Sequence, residues 1–203
     1  YSRAYELGSA ALRTREAVLG PEHADTLNSL NSLGLVVNWL GRYDEAKAMH
    51  EKALEAKRRV LGADHPSTLT SMANLASTYR NQGRWADAEA LEVQVMETSK
   101  TKLGADHPDT LTSMANLAST YWKQGRWADA EALFVQVMET FKTKLGADHP
   151  DTLTSMANLA STYRNQGRWP DAEALFVQVM ETRKTKLGAD HPDTLTSMAN
   201  LAS

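Results

Sequence analysis

The chain has no cysteine among its 203 residues. No disulfide can support the fold and no thiol chemistry is available, which suits an intracellular, cytoplasmic protein. It also lacks a surplus of either charge: 22 lysines and arginines stand against 25 acidic residues, for a net charge of −3. A phosphate backbone is held by a basic surplus on one face, so nucleic acid is not an expected partner. No apolar run approaches the roughly 18 residues that span a bilayer, and no signal peptide precedes the first helix, so no membrane partner is expected. Catalytic signatures are missing too. There is no Gly-x-x-x-x-Gly-Lys-[Ser/Thr] phosphate loop, no nucleophile elbow and no His-Glu-x-x-His. Catalysis needs unlike groups converging on one point, so the expectation is a protein that is not an enzyme and needs no cofactor. The chain opens at Tyr1 and stops at Ser203 in mid-pattern, and so reads as an excerpt from a longer polypeptide.

What is present is a repeat with a period of 42 residues. Gly20, Gly62, Gly104, Gly146 and Gly188 recur at that spacing, as do His23, His65, His107, His149 and His191. The array divides into an incomplete unit at 1–23, full units at 24–65, 66–107, 108–149 and 150–191, and the start of another at 192–203. Each unit reads as two helices. The first is predicted from Pro108 to Gln124, with Leu111, Met114, Leu117, Ala118 and Tyr121 on one stripe. Asp106 or His107 can cap its start, and Gly125 supplies a left-handed stop. The second is predicted from Ala128 to Lys144, with Ala130, Leu133, Phe134, Val137 and Met138 facing inward and Gly146 at its end. Neither helix can bury its stripe alone, so neighbouring units must stack and share a core. Small residues such as Ala76, Ala88 and Gly34 allow close helix crossings. The fold class expected is all-α, a solenoid of antiparallel helix pairs whose first helices line a concave face.

Leu75, Ala76, Tyr79, Gly83, Trp85 and Ala88 stand at the positions that define the tetratricopeptide repeat, which the chain resembles. The 42-residue period, the string Leu103-Gly104-Ala105-Asp106-His107-Pro108 and the run Met114-Ala115-Asn116-Leu117-Ala118 narrow the likeness. They resemble kinesin light chain repeats and, more closely, the C-terminal arrays of fungal NLR-like STAND NTPases of the NB-ARC/NACHT kind. The resemblance implies a tetratricopeptide-type right-handed solenoid whose groove receives a peptide or protein segment. It also implies that the first-helix asparagine hydrogen-bonds an extended ligand backbone. The matching positions are Asn74, Asn116, Asn158 and Asn200, with Ser32 in the first full unit. Ser77, Ser119 and Ser161 accompany them in the groove. The STAND likeness implies a ligand sensor attached to a nucleotide-binding switch, and the kinesin light chain likeness implies a cargo adaptor.

Two readings of the asparagines stay open: a ladder stitching adjacent helices, or a row of amides facing a ligand. The recurring Asp-His-Pro is read as capping and loop packing rather than metal binding, because one histidine per unit cannot converge on one ion. Trp85, Trp127 and Trp169 are expected to pack beside the turn, with Tyr43 in the same slot. Trp39 and Trp122 break the repeat off the core stripe and read as anchors for a partner. Only six columns vary among the three near-identical copies. Arg80/Trp122/Arg164 and Asn81/Lys123/Asn165 are expected on the concave face, as is Asn38 beside Trp39. The columns Glu92/Phe134/Phe176 and Ser99/Phe141/Arg183 are expected to be at least partly exposed, since packed interiors do not tolerate such volume changes. For Glu92 either solvent or a cation such as Lys123 or Arg126 is expected nearby. The function expected is a protein- or peptide-binding scaffold, the alternative a spacer or self-assembly element. Core exposed at a truncated end would also drive end-to-end self-association.

Overall fold

The computed structural model describes residues 2–202. They form ten helices in chain order. These are α1 (Ser2–Leu19), α2 (Ala24–Trp39), α3 (Tyr43–Leu61), α4 (Pro66–Asn81) and α5 (Trp85–Leu103), then α6 (Pro108–Lys123), α7 (Trp127–Leu145), α8 (Pro150–Asn165), α9 (Trp169–Leu187) and α10 (Pro192–Ala202). No strand occurs among the described residues. The second helix of each unit begins one residue earlier than expected, at Trp127 rather than Ala128, so Pro170 falls at its second position, where no helical N–H is lost. No helix among the described residues is long and apolar enough to cross a membrane.

The histidine of the repeated Asp-His-Pro string is the N-cap. His107 is extended, with ψ 141°, and its Nδ1 accepts a hydrogen bond of 3.2 Å from the Asp109 amide. Thr110 closes the loop behind it by donating to the Gly104 carbonyl at 2.8 Å. His23, His65, His149 and His191 accept in the same way. A cap of this kind contributes about 1 kcal/mol. His107→Ala should therefore lower stability by about that much, and His107→Asn should restore most of it, as read by the urea midpoint. Equal losses for both variants would deny the cap its role.

The turn between paired helices is a Schellman motif. Gly125 takes φ 77° and donates to the Trp122 carbonyl, while the Arg126 amide reaches back to the Tyr121 carbonyl at 2.9 Å. The Arg126 guanidinium then lies 4.1 Å from the Tyr121 ring centroid and bonds Asp129 at 2.7 Å. Arg84 with Tyr79 and Asp87, and Arg168 with Tyr163 and Asp171, repeat the arrangement. A cation on a ring, fixed by a carboxylate, thus locks the angle between the helices. Trp85, Trp127 and Trp169 do not fill this corner. They are 39%, 38% and 62% exposed, and it is the tyrosine and arginine that meet in it.

Two compact units divide the chain, residues 1–102 and 103–203. In the first, Leu12, Leu30, Leu33, Val37, Ala46 and Ala53 form one cluster across α1, α2 and α3. Leu54, Leu69, Met72, Leu75 and Val95 form another across α3, α4 and α5. In the second unit Ala118, Ala130, Phe134, Met138, Leu153, Met156, Leu159 and Val179 pack across α6 to α9. Ala76 and Ala88, the small residues expected at close approaches, are fully buried, and so are Ala46 and Ala130.

Candidate functional site

Asn74, Ser77 and Asn81 occupy one stripe of α4, at spacings of three and four residues. The stripe recurs as Asn116, Ser119 and Lys123 on α6 and as Asn158, Ser161 and Asn165 on α8. The asparagines at 74, 116, 158 and 200 are half-buried, and at the first three the Leu-Ala pair that follows is buried in the core. Asn74 and Asn158 make no side-chain hydrogen bond among the described residues. Ser119 and Ser161 donate to the carbonyls of Ala115 and Ala157 on their own helices. In unit 1 the Asn81 amide donates to Asn38 Oδ1 on α2 at 3.2 Å, and Asn38 is itself buried. Trp39 beside it is 73% exposed.

Arg80, Trp122 and Arg164 lie off this stripe and lean toward the second helix of their own pair. Arg80 Nη1 is 3.5 Å from Glu92 Oε1 on α5, with Glu92 only 3% exposed. Trp122 packs against the cluster holding Phe134, and its buried indole N–H has no hydrogen-bond partner among the described residues. Arg164 places its guanidinium 5.6 Å from the Phe176 ring and donates to the Asn200 carbonyl at 3.4 Å. Lys123 stands over the Trp122 ring at 5.0 Å.

Two expectations from the sequence need correction here. Glu92, Phe134 and Phe176 are all 3% exposed, so this column is interior, and Arg80 supplies a cation beside Glu92. The column admits glutamate as well as phenylalanine because an arginine twelve residues earlier can meet either, Arg80 facing Glu92 and Arg164 lying over Phe176. Ser99 is also buried, at 3%, whereas Phe141 and Arg183 are half-buried and so partly exposed as expected. Arg183 reaches forward to Ser197 Oγ at 2.9 Å and to the Asp193 carbonyl, and so abuts the start of α10.

One buried pair escaped the sequence reading. His50 on α3 is fully buried, with Nδ1 2.8 Å from Asn31 Oδ1 on α2. Burial, and then the nearby charge of Lys57, push its pKa from 6.5 down to about 4. Lys57 is buried as well, which lowers its pKa. Among the described residues no three potential ligands gather as a metal site would require.

The stacked helix pairs, capped turns and recurring first-helix stripe define a helical repeat protein. The Tetratricopeptide repeat family model matches residues 29–101, 80–143, 116–185 and 151–203, and the chain belongs to that family. Its repeats generally serve as protein-binding scaffolds rather than enzymes. Among solved structures the chain is similar to a Podosopora anserina protein, provisionally assigned as a kinesin light chain, with nearly identical TPR-like repeats. That match has 29% identity and a TM-score of 0.78, covering 91% of this chain and 87% of the other. It is also similar to BtubC (BKLC) from P. vanneervenii, at 18% identity and TM-score 0.76, covering 98% and 78% of the two chains. The second likeness is one of fold alone. No curated protein matches the chain.

Proposed function

We propose that the first-helix stripes bind an extended segment of a partner protein, its backbone held by the asparagine amides. Asn74 and Asn158 carry this reading. A ladder between helices would use those amides, yet neither makes a side-chain hydrogen bond among the described residues. An asparagine inside a helix is a mediocre helix former, and an amide offers donors and an acceptor to any extended backbone. In this reading Ser77, Ser119 and Ser161 flank the amides. Asn81, Lys123, Asn165 and the exposed Trp39 supply the differences between repeats.

The array then acts either as the ligand-sensing part of a larger NLR-like NTPase or as a cargo adaptor of the kinesin light chain kind. The likeness to a protein assigned to kinesin light chains supports the second. Alanine at Arg80 or Trp122 is a poor test, because both side chains pack on second-helix residues. Asn74→Ala/Asn116→Ala/Asn158→Ala is cleaner. Affinity capture from lysate should retain a protein on the native array and lose it, at least about tenfold, on the triple variant, a loss of about 1.4 kcal/mol. Circular dichroism should show both equally folded. Equal retention would move the site elsewhere, and no retention by either would favour a spacer or self-assembly element.

A further inference from the structure

The first full repeat carries a polar cluster where the third and fourth full repeats are apolar, while the second holds Ala73, Ala76 and Glu92 at these places. By the 42-residue period, Asn31, Gly34 and His50 take the places of Ala115, Ala118 and Phe134 on α6 and α7, and of Ala157, Ala160 and Phe176 on α8 and α9. These substitutions meet in space. His50 is fully buried and Asn31 is 5% exposed. A Cβ on Gly34 would come within 2.7 Å of the His50 Cε1, so the alanine of the other repeats does not fit beneath this ring. Two turns along α3 from His50, Lys57 is 1% exposed and gives its ammonium to the Ser67 carbonyl at 3.3 Å.

The imidazole is suited to one protonation state. With its proton on Nδ1 it donates to Asn31 Oδ1. Nε2 is buried and has no hydrogen-bond partner among the described residues. A proton added there becomes a buried charge without an acceptor. No carboxylate faces the ring. The one charged side chain on α2 is Asp25 in its first turn, and α4 presents Tyr79 and Arg80 in its last. On α1, Arg15 turns to Ser29 and Glu16 to Lys52. On α3 itself, Glu51 pairs with Lys47. Lys57 is the charge that acts on the ring, and it opposes protonation.

We propose that Asn31, Gly34 and His50 form an acid-operated latch, which fastens α2 to α3 when the imidazole is neutral and releases that helix pair when Nε2 is protonated. Opening would uncover Leu30, Leu33 and Val37 and part Asn38 from Asn81. The sign follows from the depressed pKa of about 4 against 6.5 for an open chain. The closed pair keeps its full stability above pH 6.5 and loses it as pH falls toward 4, because the open form binds the proton more tightly.

Hydrogen exchange tests this directly. Corrected for intrinsic rates, protection of α2 and α3 should fall about 20-fold between pH 7 and pH 5. The helices α6 to α9 should not show that fall. They carry the same capping histidines, so any loss from caps is common to both units. Asn31→Ala/Gly34→Ala/His50→Phe, which copies the repeats of α6 to α9, should abolish the difference between units. Equal losses in both units, or an unchanged difference in the triple variant, would overturn the latch. Should that variant not fold, the His50 C2–H resonance of the native protein decides. A shift centred near pH 6.5 with α2 and α3 still protected refutes the latch, and a resonance constant until the pair opens supports it.

Discussion

Arg80→Ala is expected to destabilise unit 1 by about 3–5 kcal/mol, the range for removing one partner of a buried ion pair. An exposed arginine would cost less than about 1 kcal/mol. The difference rests on Glu92, which is 3% exposed and faces the Arg80 guanidinium at 3.5 Å. Taking away the guanidinium leaves the carboxylate in the interior with the opposing charge gone. Glu92→Phe should behave differently. Phe176 at the equivalent position sits under Arg164, with the guanidinium 5.6 Å from the ring, so an arginine–phenylalanine pair already fits this site in a neighbouring repeat. Replacing a buried pair by an apolar contact is commonly neutral or stabilising by about 1–4 kcal/mol. Exchange protection of α4 and α5 should therefore fall in Arg80→Ala and hold or rise in Glu92→Phe. A cost below about 1 kcal/mol for Arg80→Ala would mean that water reaches Glu92 and screens it.

The parts of the fold legible in the sequence are those set by neighbours along the chain. Helix starts followed from His-Pro, stops from Gly125 and Gly146, and inward faces from the spacing of Leu111, Met114 and Leu117. In the structure these leucines and the methionine are at most 3% exposed. The glycine stops have a direct cause. Gly146 takes φ 95° and ψ 160°, a region closed to any residue with a Cβ. The failures share one cause as well. Residues 80 and 92 lie on different helices, and a column read alone shows only that its side chain varies. Its burial depends on what the facing column holds. A column of serine, phenylalanine and arginine looks exposed until Arg183 is seen bonded to Ser197 in the next helix. The His50 cluster was hidden in the same way, since Gly34 read simply as a small residue at a crossing. Its smallness matters because an imidazole lies against it. For the candidate site, the asparagine stripe was legible from the repeat. The lean of Arg80 and Trp122 away from that stripe was not.

The coupling of these two columns makes a strong prediction in unit 2. Phe134→Glu should cost at least about 4 kcal/mol, since it removes a buried aromatic ring and leaves a carboxylate beside the Trp122 indole. Trp122→Arg alone should be mild, within about 1 kcal/mol in either direction, because a guanidinium over phenylalanine recreates the Arg164–Phe176 contact. Together the two changes recreate the Arg80–Glu92 pair of unit 1. The double variant should then recover about 2–3 kcal/mol relative to the sum of its parts, a coupling energy typical of residues in contact. Urea unfolding of the single and double variants measures it, with exchange protection of α6 and α7 as a local check. Additive costs would mean that the two columns drift independently and that their pairing in each repeat is coincidence. Coupling of the expected size would mean that the residue displayed at the end of each first helix is chosen jointly with one buried on the second. The residue on the second helix would then be restricted by the one it faces: glutamate is accepted there only opposite an arginine, while phenylalanine is accepted opposite an arginine or a tryptophan.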